Sequence, residues 1–263
     1  MQLSQAQIQE FNDRGYLFVP QLFTPEEMGV LKREMAEVLK TPRRELVLEK
    51  DGKTPRSIFN LHAYNEAYAR LVRHPKIVGP VRSLVGGPIY VFQMVVNFKA
   101  PYSGDQWPWH QDFPTYHHDD GMPRPAVVNC LIFMEDVGPW NGPLMLVPES
   151  HKETYPLPPI DTAKTSYPAR WAELNHIDKT MREKGIVAPQ GPAGSVIFAH
   201  TNILHASGPN MSPWGRTLMS LTVNALDNQT RGSRRPDYIV PKDRTPLEPL
   251  ADDCLLALAH APA

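Results

Sequence analysis

Only two cysteines occur in the 263 residues, Cys130 and Cys254, and no CxxC spacing accompanies them. That excludes a disulfide framework or a thiolate zinc site and favours a reducing, cytoplasmic setting. Long apolar runs are missing too. The longest, "AVVNCLIFM", is far too short to span a bilayer, and the opening "MQLSQAQIQE" lacks the basic and apolar regions of a secretory leader. Neither sign of charge dominates. Lys and Arg number 27 and Asp and Glu 28, so no global field draws nucleic acid or an anionic membrane surface. A small molecule is the expected partner, and the oligomeric state is left open. Proline, in contrast, is plentiful at 28 and spread along the chain, which favours short elements joined by turns.

The first third carries helix signals. Ser4 and Gln7 form a capping box, and Gly15 suits the stop. In "TPEEMGVLKREMAEVLK" Thr24 is the N-cap, Pro25 takes the first helical position and Glu27 closes the box. Met28, Leu31, Met35, Val38 and Leu39 then share one face. Two further helical patches lie near 64–73 and 76–84.

After "VGGP" at 85–88 the period becomes two. Tyr90, Phe92, Met94, Val96 and Phe98 alternate with Val91, Gln93, Val95, Asn97 and Lys99, predicting a strand with one apolar and one more polar face. Other short strands are expected at 126–134, 144–147, 194–199 and 217–225. The stretch 151–190 reads as an insertion or lid, and 227–263 as a tail whose apolar "CLLALA" docks on the helices. Helices followed by many strands imply a single α+β domain over 1–263, mainly β, with helical support over 1–86 and the β core over 88–226.

The chemistry concentrates in "WPWHQDFPTYHHDDGMPR", residues 107–124, which holds three histidines, three aspartates and four aromatic rings. In an extended chain His110 and Asp112 project from one side and share an ion while Gln111 points away. A second histidine from another strand completes two imidazoles and a carboxylate on one face of an octahedral ion, the arrangement of non-haem Fe(II) oxygenases. His205 follows the strand "GSVIFA" and precedes Arg216, whose planar fork suits a carboxylate; His200, five residues earlier, competes with it. Gln93 and Asn97 are either a solvated sheet face or amide donors for a bound acid. His117, His118, Asp119 and Asp120 read as a mobile entrance loop. Trp107, Trp109, Trp140 and Trp214 serve either packing or ligand contact.

These segments resemble the phytanoyl-CoA dioxygenase family of iron- and 2-oxoglutarate-dependent oxygenases, in particular its ectoine hydroxylase branch. The likeness runs through "QIQEFNDRGYLFVPQLFTPEEM", "WHQDF", "DGMPR", "NGPLMLVPESHK" and "HASGPNMSPWGR". The resemblance implies a double-stranded β-helix, a jelly-roll or cupin-like barrel with the N-terminal helices on one side. It implies Fe(II) held by His110, Asp112 and His205, with 2-oxoglutarate and O2 as co-substrates and Arg216 gripping the far carboxylate of 2-oxoglutarate. Gln93 and Asn97 carry over as co-substrate contacts, with Asn129 and Ser207 in the same pocket.

The implied reaction is hydroxylation of an unactivated carbon with release of succinate and CO2, or another oxidation such as desaturation or epoxidation at the same centre. Phe113 and Tyr116 keep aromatics beside the metal motif. Ala199 and Ser220 stand where the branch has bulky aromatics, however, and Val95 where it has a basic residue. A free amino acid or cyclic imino acid is therefore expected in preference to ectoine. Asp112 disfavours a halogenase, which leaves that position to a small residue. The competing readings are a zinc hydrolase with the same three ligands, which leaves Arg216 without a task, and a non-catalytic metal-binding protein.

Overall fold

In the computed structural model, which describes residues 1–259, both capping boxes form. Helix α1 (Gln5–Arg14) starts at Ser4 and stops at Gly15, whose φ of 81° suits glycine. Helix α2 (Pro25–Val38) starts at Thr24 with Glu27 bonded back to the cap. Helices α3 (Glu66–Leu71) and α4 (Pro75–Val85) match the two patches expected at 64–73 and 76–84. Between them run three strands that the helical reading of 1–86 does not contain: β1 (Tyr16–Val19), β2 (Leu46–Leu48) and β3 (Pro55–Phe59). Each is short and borrows its partner from later in the chain, so local periodicity carries little trace of it.

Strand β4 (Ile89–Lys99) is followed by β5 (Trp107–His110), α5 (Phe113–Asp120), β6 (Val127–Phe133) and β7 (Leu144–Leu146). Then come a small hairpin of β8 (Ile160–Asp161) and β9 (Ala169–Arg170), α6 (Leu174–Lys184), β10 (Val196–His200), β11 (His205–Ser207) and β12 (Arg216–Ala225). A seven-stranded sheet in the order β1-β10-β6-β12-β4-β3-β2 faces a three-stranded sheet, β5-β11-β7. All pairings are antiparallel, and the two sheets form the double-stranded β-helix. Among the described residues no helix is long and apolar enough to cross a membrane.

The outer face of the large sheet meets the helices through Met28, Leu31, Val81, Met94, Val96 and Phe198, among others. The tail closes the same layer. Leu255 is fully buried there, and Arg70 and Arg82 donate to the carbonyls of Cys254 (3.0 Å) and Leu247 (2.7 Å). Residues 260–263 of the tail lie outside the described residues.

Strand β4 corrects the single apolar face expected of it. Thr222 pairs with Gln93 but Val223 with Val91, so Phe92 is the extra residue of a bulge. Beyond the bulge the faces exchange. Tyr90, Phe92 and Val95 point into the barrel, whereas Val91, Met94 and Val96 join the helix-side core. Gln93, Asn97 and Lys99 share the inward face with Val95. A bulge places polar groups inside without breaking the buried outer layer.

Glu27 pins α2 to α4. Its carboxylate accepts from Lys76 Nζ (2.7 Å) and lies 3.1 Å from His74 Nε2. Burial alone would raise its pKa, but the bonds from His74 and Lys76 outweigh that and hold it at about 2, from 4.5. A folded value below the unfolded one gives stability that is present above pH 4.5 and is lost as pH falls towards 2. Glu27→Gln is therefore expected to lower the urea midpoint at pH 7 and to flatten its decline between pH 5 and 3. Equal pH slopes for the two proteins would refute the assignment.

Candidate metal centre

His110 and His205 meet because β5 and β11 pair with these two residues directly opposite, their ring centroids 4.1 Å apart. Asp112 arrives by a different route from the one expected. The strand ends at His110, and Asp112 has helical backbone angles (φ −81°, ψ −43°) at the entry to α5. Strand alternation is therefore not what aims it. The turn is held by the Thr201 carbonyl, which accepts from the amides of Asp112 and Phe113 (both 3.0 Å). Gln111 points away, donating to the Asn202 carbonyl. The outcome is convergence: His110 Nε2 lies 3.6 Å from Asp112 Oδ1, and His205 Nε2 3.7 Å from Asp112 Oδ2. Ligand atoms of all three residues lie within 4.8 Å of one another.

The protons decide what this cluster is for. His110 Nδ1 lies 2.7 Å from the Pro108 carbonyl and His205 Nδ1 3.0 Å from that of Ile203. A carbonyl only accepts, so each Nδ1 carries the hydrogen and each Nε2 presents a lone pair. Burial, with His205 alongside, lowers the His110 pKa to about 4, so its ring is neutral. Asn129 Nδ2 donates to Asp112 Oδ2 (2.6 Å), and Thr222 Oγ1 donates to Asn129 Oδ1 (2.7 Å), which fixes the amide's orientation. With Nδ1 of each ring turned to a carbonyl, the two Nε2 atoms and the carboxylate converge on one point, and two imidazoles with one carboxylate suit a divalent iron that keeps open positions.

His200 does not join them. It sits on the outer face of β10 beside Phe11 and His151, at ring distances of 6.3 and 5.1 Å.

One same-face step along β11 from His205 is Ser207, whose hydroxyl accepts from Arg216 Nη2 (3.1 Å). Arg216 Nε donates to the Gly142 carbonyl (3.0 Å). The guanidinium is 2% exposed and, among the described residues, has no carboxylate within ion-pair distance. Burial pulls its pKa down to about 9, with Glu135 opposing. An unpaired buried cation is costly and calls for an anion. Along the inner wall, Gln93 Oε1 is buried without a partner, and Asn97 Oδ1 accepts from Ser57 (2.7 Å).

At the other mouth Tyr116 is buried and meets Phe92 edge-on at 4.8 Å, with Phe113 partly buried beside the same cluster. Ala199 faces Asn129 across β10 and β6, while Val95 faces Ser220 across β4 and β12, all on the inner wall. The segment expected to be a mobile entrance loop is the C-terminal half of α5. Asp120 is fully buried and bonds Arg235, and Asp119 bonds Arg170 (3.1 Å). Trp140 and Trp214 are 71% and 64% exposed, so they serve neither the core nor the site.

Two residues here escaped the sequence reading. Trp171, from 151–190, meets His110 edge-on at 5.3 Å. Arg235, from the polar tail, lies over the Tyr116 and Phe92 rings at 5.4 and 5.9 Å. Neither sits in a motif; "RGSRRPDY" reads as solvated tail.

A family model for phytanoyl-CoA dioxygenase matches residues 11–218. L-Proline trans-4-hydroxylase of Streptomyces griseoviridis is 33% identical over 92% of this chain and 94% of its own. Ectoine dioxygenase of Stutzerimonas stutzeri is 31% identical over 90% of this chain and 83% of its own. The crystal structure of EctD from S. alaskensis with bound Fe superposes with a TM-score of 0.83 at 27% identity, covering 94% of this chain and 87% of that one. A second EctD structure, with 2-oxoglutarate and 5-hydroxyectoine, gives 0.80 at 28% identity over 95% and 86%. The chain belongs to the phytanoyl-CoA dioxygenase family and is an iron(II)- and 2-oxoglutarate-dependent dioxygenase, with O2 as its other co-substrate.

Proposed function

We propose that this enzyme hydroxylates a carbon of a free amino acid or cyclic imino acid, with His110, Asp112 and His205 holding the iron. The observation that carries the metal assignment is the meeting of two imidazoles and a carboxylate with ligand atoms within 4.8 Å of one another. The bound iron supplies O2 activation coupled to decarboxylation of 2-oxoglutarate to succinate and CO2. The chain's own residues position and shield. Arg216 takes the far carboxylate, with Ser207 fixing the fork, and Gln93 and Asn97 offer amide groups beside it. Asn129 orients Asp112 rather than the acid.

Substrate lies against Phe113, Tyr116, Val95, Ala199 and Ser220. Small side chains at Ala199 and Ser220 leave the wall without the rings that a cyclic zwitterion such as ectoine would stack on, and Val95 leaves it without a basic group there. Arg235, over the aromatic cluster with its Nε and Nη2 bonded to Asp120, leaves Nη1 to meet a polar group of the substrate. The similarity to L-proline trans-4-hydroxylase points the same way. The two free, buried cysteines fit a cytoplasmic setting.

Anaerobic Fe(II) should bind at one equivalent and raise the melting temperature. His205→Ala should abolish that shift and His200→Ala should keep it; the reverse pattern would reassign the third ligand.

Succinate formation against 2-oxoglutarate concentration tests Arg216. Losing one partner of a buried pair costs about 3–5 kcal/mol, so Arg216→Ala should lose nearly all turnover. Arg216→Lys keeps the charge without the fork and should raise the 2-oxoglutarate KM while sparing iron binding. A wild-type curve for Arg216→Ala would remove the residue from the site.

A screen of succinate release should rank L-proline, related imino acids and free amino acids above ectoine. Ectoine turnover matching the best of these would overturn the substrate class and leave the enzyme class standing.

A further inference from the structure

At the Arg216 end of the barrel three loops carry large apolar side chains that the fold does not cover. Tyr102 stands in the loop after β4, Trp140 between β6 and β7, and Met211 and Trp214 between β11 and β12. All four are between 64% and 80% exposed. Together they leave on the order of 500 Å² of apolar surface in water. That is near the top of the roughly 300–600 Å² spanned by the largest patch of an ordinary monomer, a size that marks interaction sites.

The loops are fixed in this arrangement. Asn210, 2% exposed, donates through Nδ2 to the carbonyls of Ala100 (3.1 Å) and Trp214 (2.7 Å), and its amide donates to the Gly104 carbonyl (2.9 Å). The buried Asn141 donates to the Gly215 carbonyl (3.2 Å) and so ties the Trp140 loop to the same unit. Tyr102 has a φ of 57°, in the left-handed region, and its amide donates to the Ser212 carbonyl (3.1 Å). A residue other than glycine is strained there, yet the strain is maintained for a ring left mostly in water. Such a surface is pre-organised, so little ordering is needed when something covers it.

The three loops are "APYSG" at 100–104, "GPWNGP" at 138–143 and "GPNMSPWG" at 208–215, and none contains Asp, Glu, Lys, Arg or His. We propose that this face joins two copies of the chain about a two-fold axis, burying Tyr102, Trp140, Met211 and Trp214 of each. A two-fold contact sets each patch against itself, so any charge would meet its like, and an uncharged patch meets no such repulsion. The same neutrality offers no attraction to nucleic acid or to an anionic lipid surface. With the proline and glycine rim of the loops added, the area approaches the roughly 800 Å² per partner of a stable interface. The Tyr116 mouth lies at the opposite end and stays open in the pair.

Sedimentation velocity of the iron-loaded enzyme between about 1 and about 100 μM tests this. Wild type should be a dimer at the upper concentrations and dissociate on dilution, with its tryptophan emission shifting to longer wavelength as it does so. Trp140→Asp combined with Trp214→Asp sets like charges across the axis and should weaken the dimer roughly tenfold or more, while a retained iron-induced melting shift shows that the variant is folded. Leu174→Asp, at a position on α6 that is 65% exposed, should leave the dimer intact. A wild type that is monomeric throughout would overturn the proposal, and if that monomer binds neutral phosphatidylcholine vesicles the face belongs to a lipid surface instead. Dissociation without a shift in emission would overturn it whether or not the double variant folds. A dimer that survives both Asp substitutions, or that Leu174→Asp dissociates as strongly, would put the contact elsewhere and overturn it too.

Discussion

Two imidazole Nε2 atoms and a carboxylate converge on one point, and much of the barrel holds them in that position. The Pro108 and Ile203 carbonyls keep the hydrogens on the far side of each ring. Asn129, itself held by Thr222 from the next strand, clamps the carboxylate. The Thr201 carbonyl fixes the turn that delivers Asp112. These supports come from both sheets and from a loop, so the site exists only once the barrel is closed. That dependence explains why the small sheet can be so short. Its three strands span little more than the residues that place His110 and His205 opposite each other.

Charge is arranged along the barrel on the same logic. At one end Arg216 and Lys99 lie buried and, among the described residues, have no carboxylate within ion-pair distance, a state that costs free energy. At the other, the buried cation Arg235 is already neutralised by Asp120, and Arg170 by Asp119. The paired end is stable by itself and shapes a pocket of rings.

What the chain disclosed in advance follows from how far apart the cooperating groups lie. Helices α1 and α2 were legible because their capping boxes close within four residues. His110, Asp112, His205 and Arg216 were legible because their types are rare in combination and the histidines and the arginine each end or begin a strand. The aim of Asp112 was not, since a turn bonded to Thr201 replaces the alternation that the spacing suggests. The bulge at Phe92 was hidden for a related reason. Nearly every residue of β4 is buried, so no change from apolar to polar marks the exchange of faces. Strand β1 depends on β10, far along the chain, β2 and β3 are too short for their period to show, and Trp171 and Arg235 acquire meaning only when distant segments fold over the mouth.

That last group bears on specificity. The inner-wall residues Ala199, Val95 and Ser220 are small or aliphatic, and the serine hydroxyl is the one polar side-chain group among the three. The polar and aromatic groups that can discriminate among substrates come from α5, from Trp171 and from Arg235 in the tail. Those segments are carried on the barrel rather than built into its strand ladder, so they can change while the iron and co-substrate walls stay as they are. Relatives named for proline and for ectoine chemistry match this chain at about the same identity, 33% and 31%, which is what such a division predicts. A shared fold takes different functions from the side chains grafted onto it, and here the groups that cover the mouth lie outside the strand ladder.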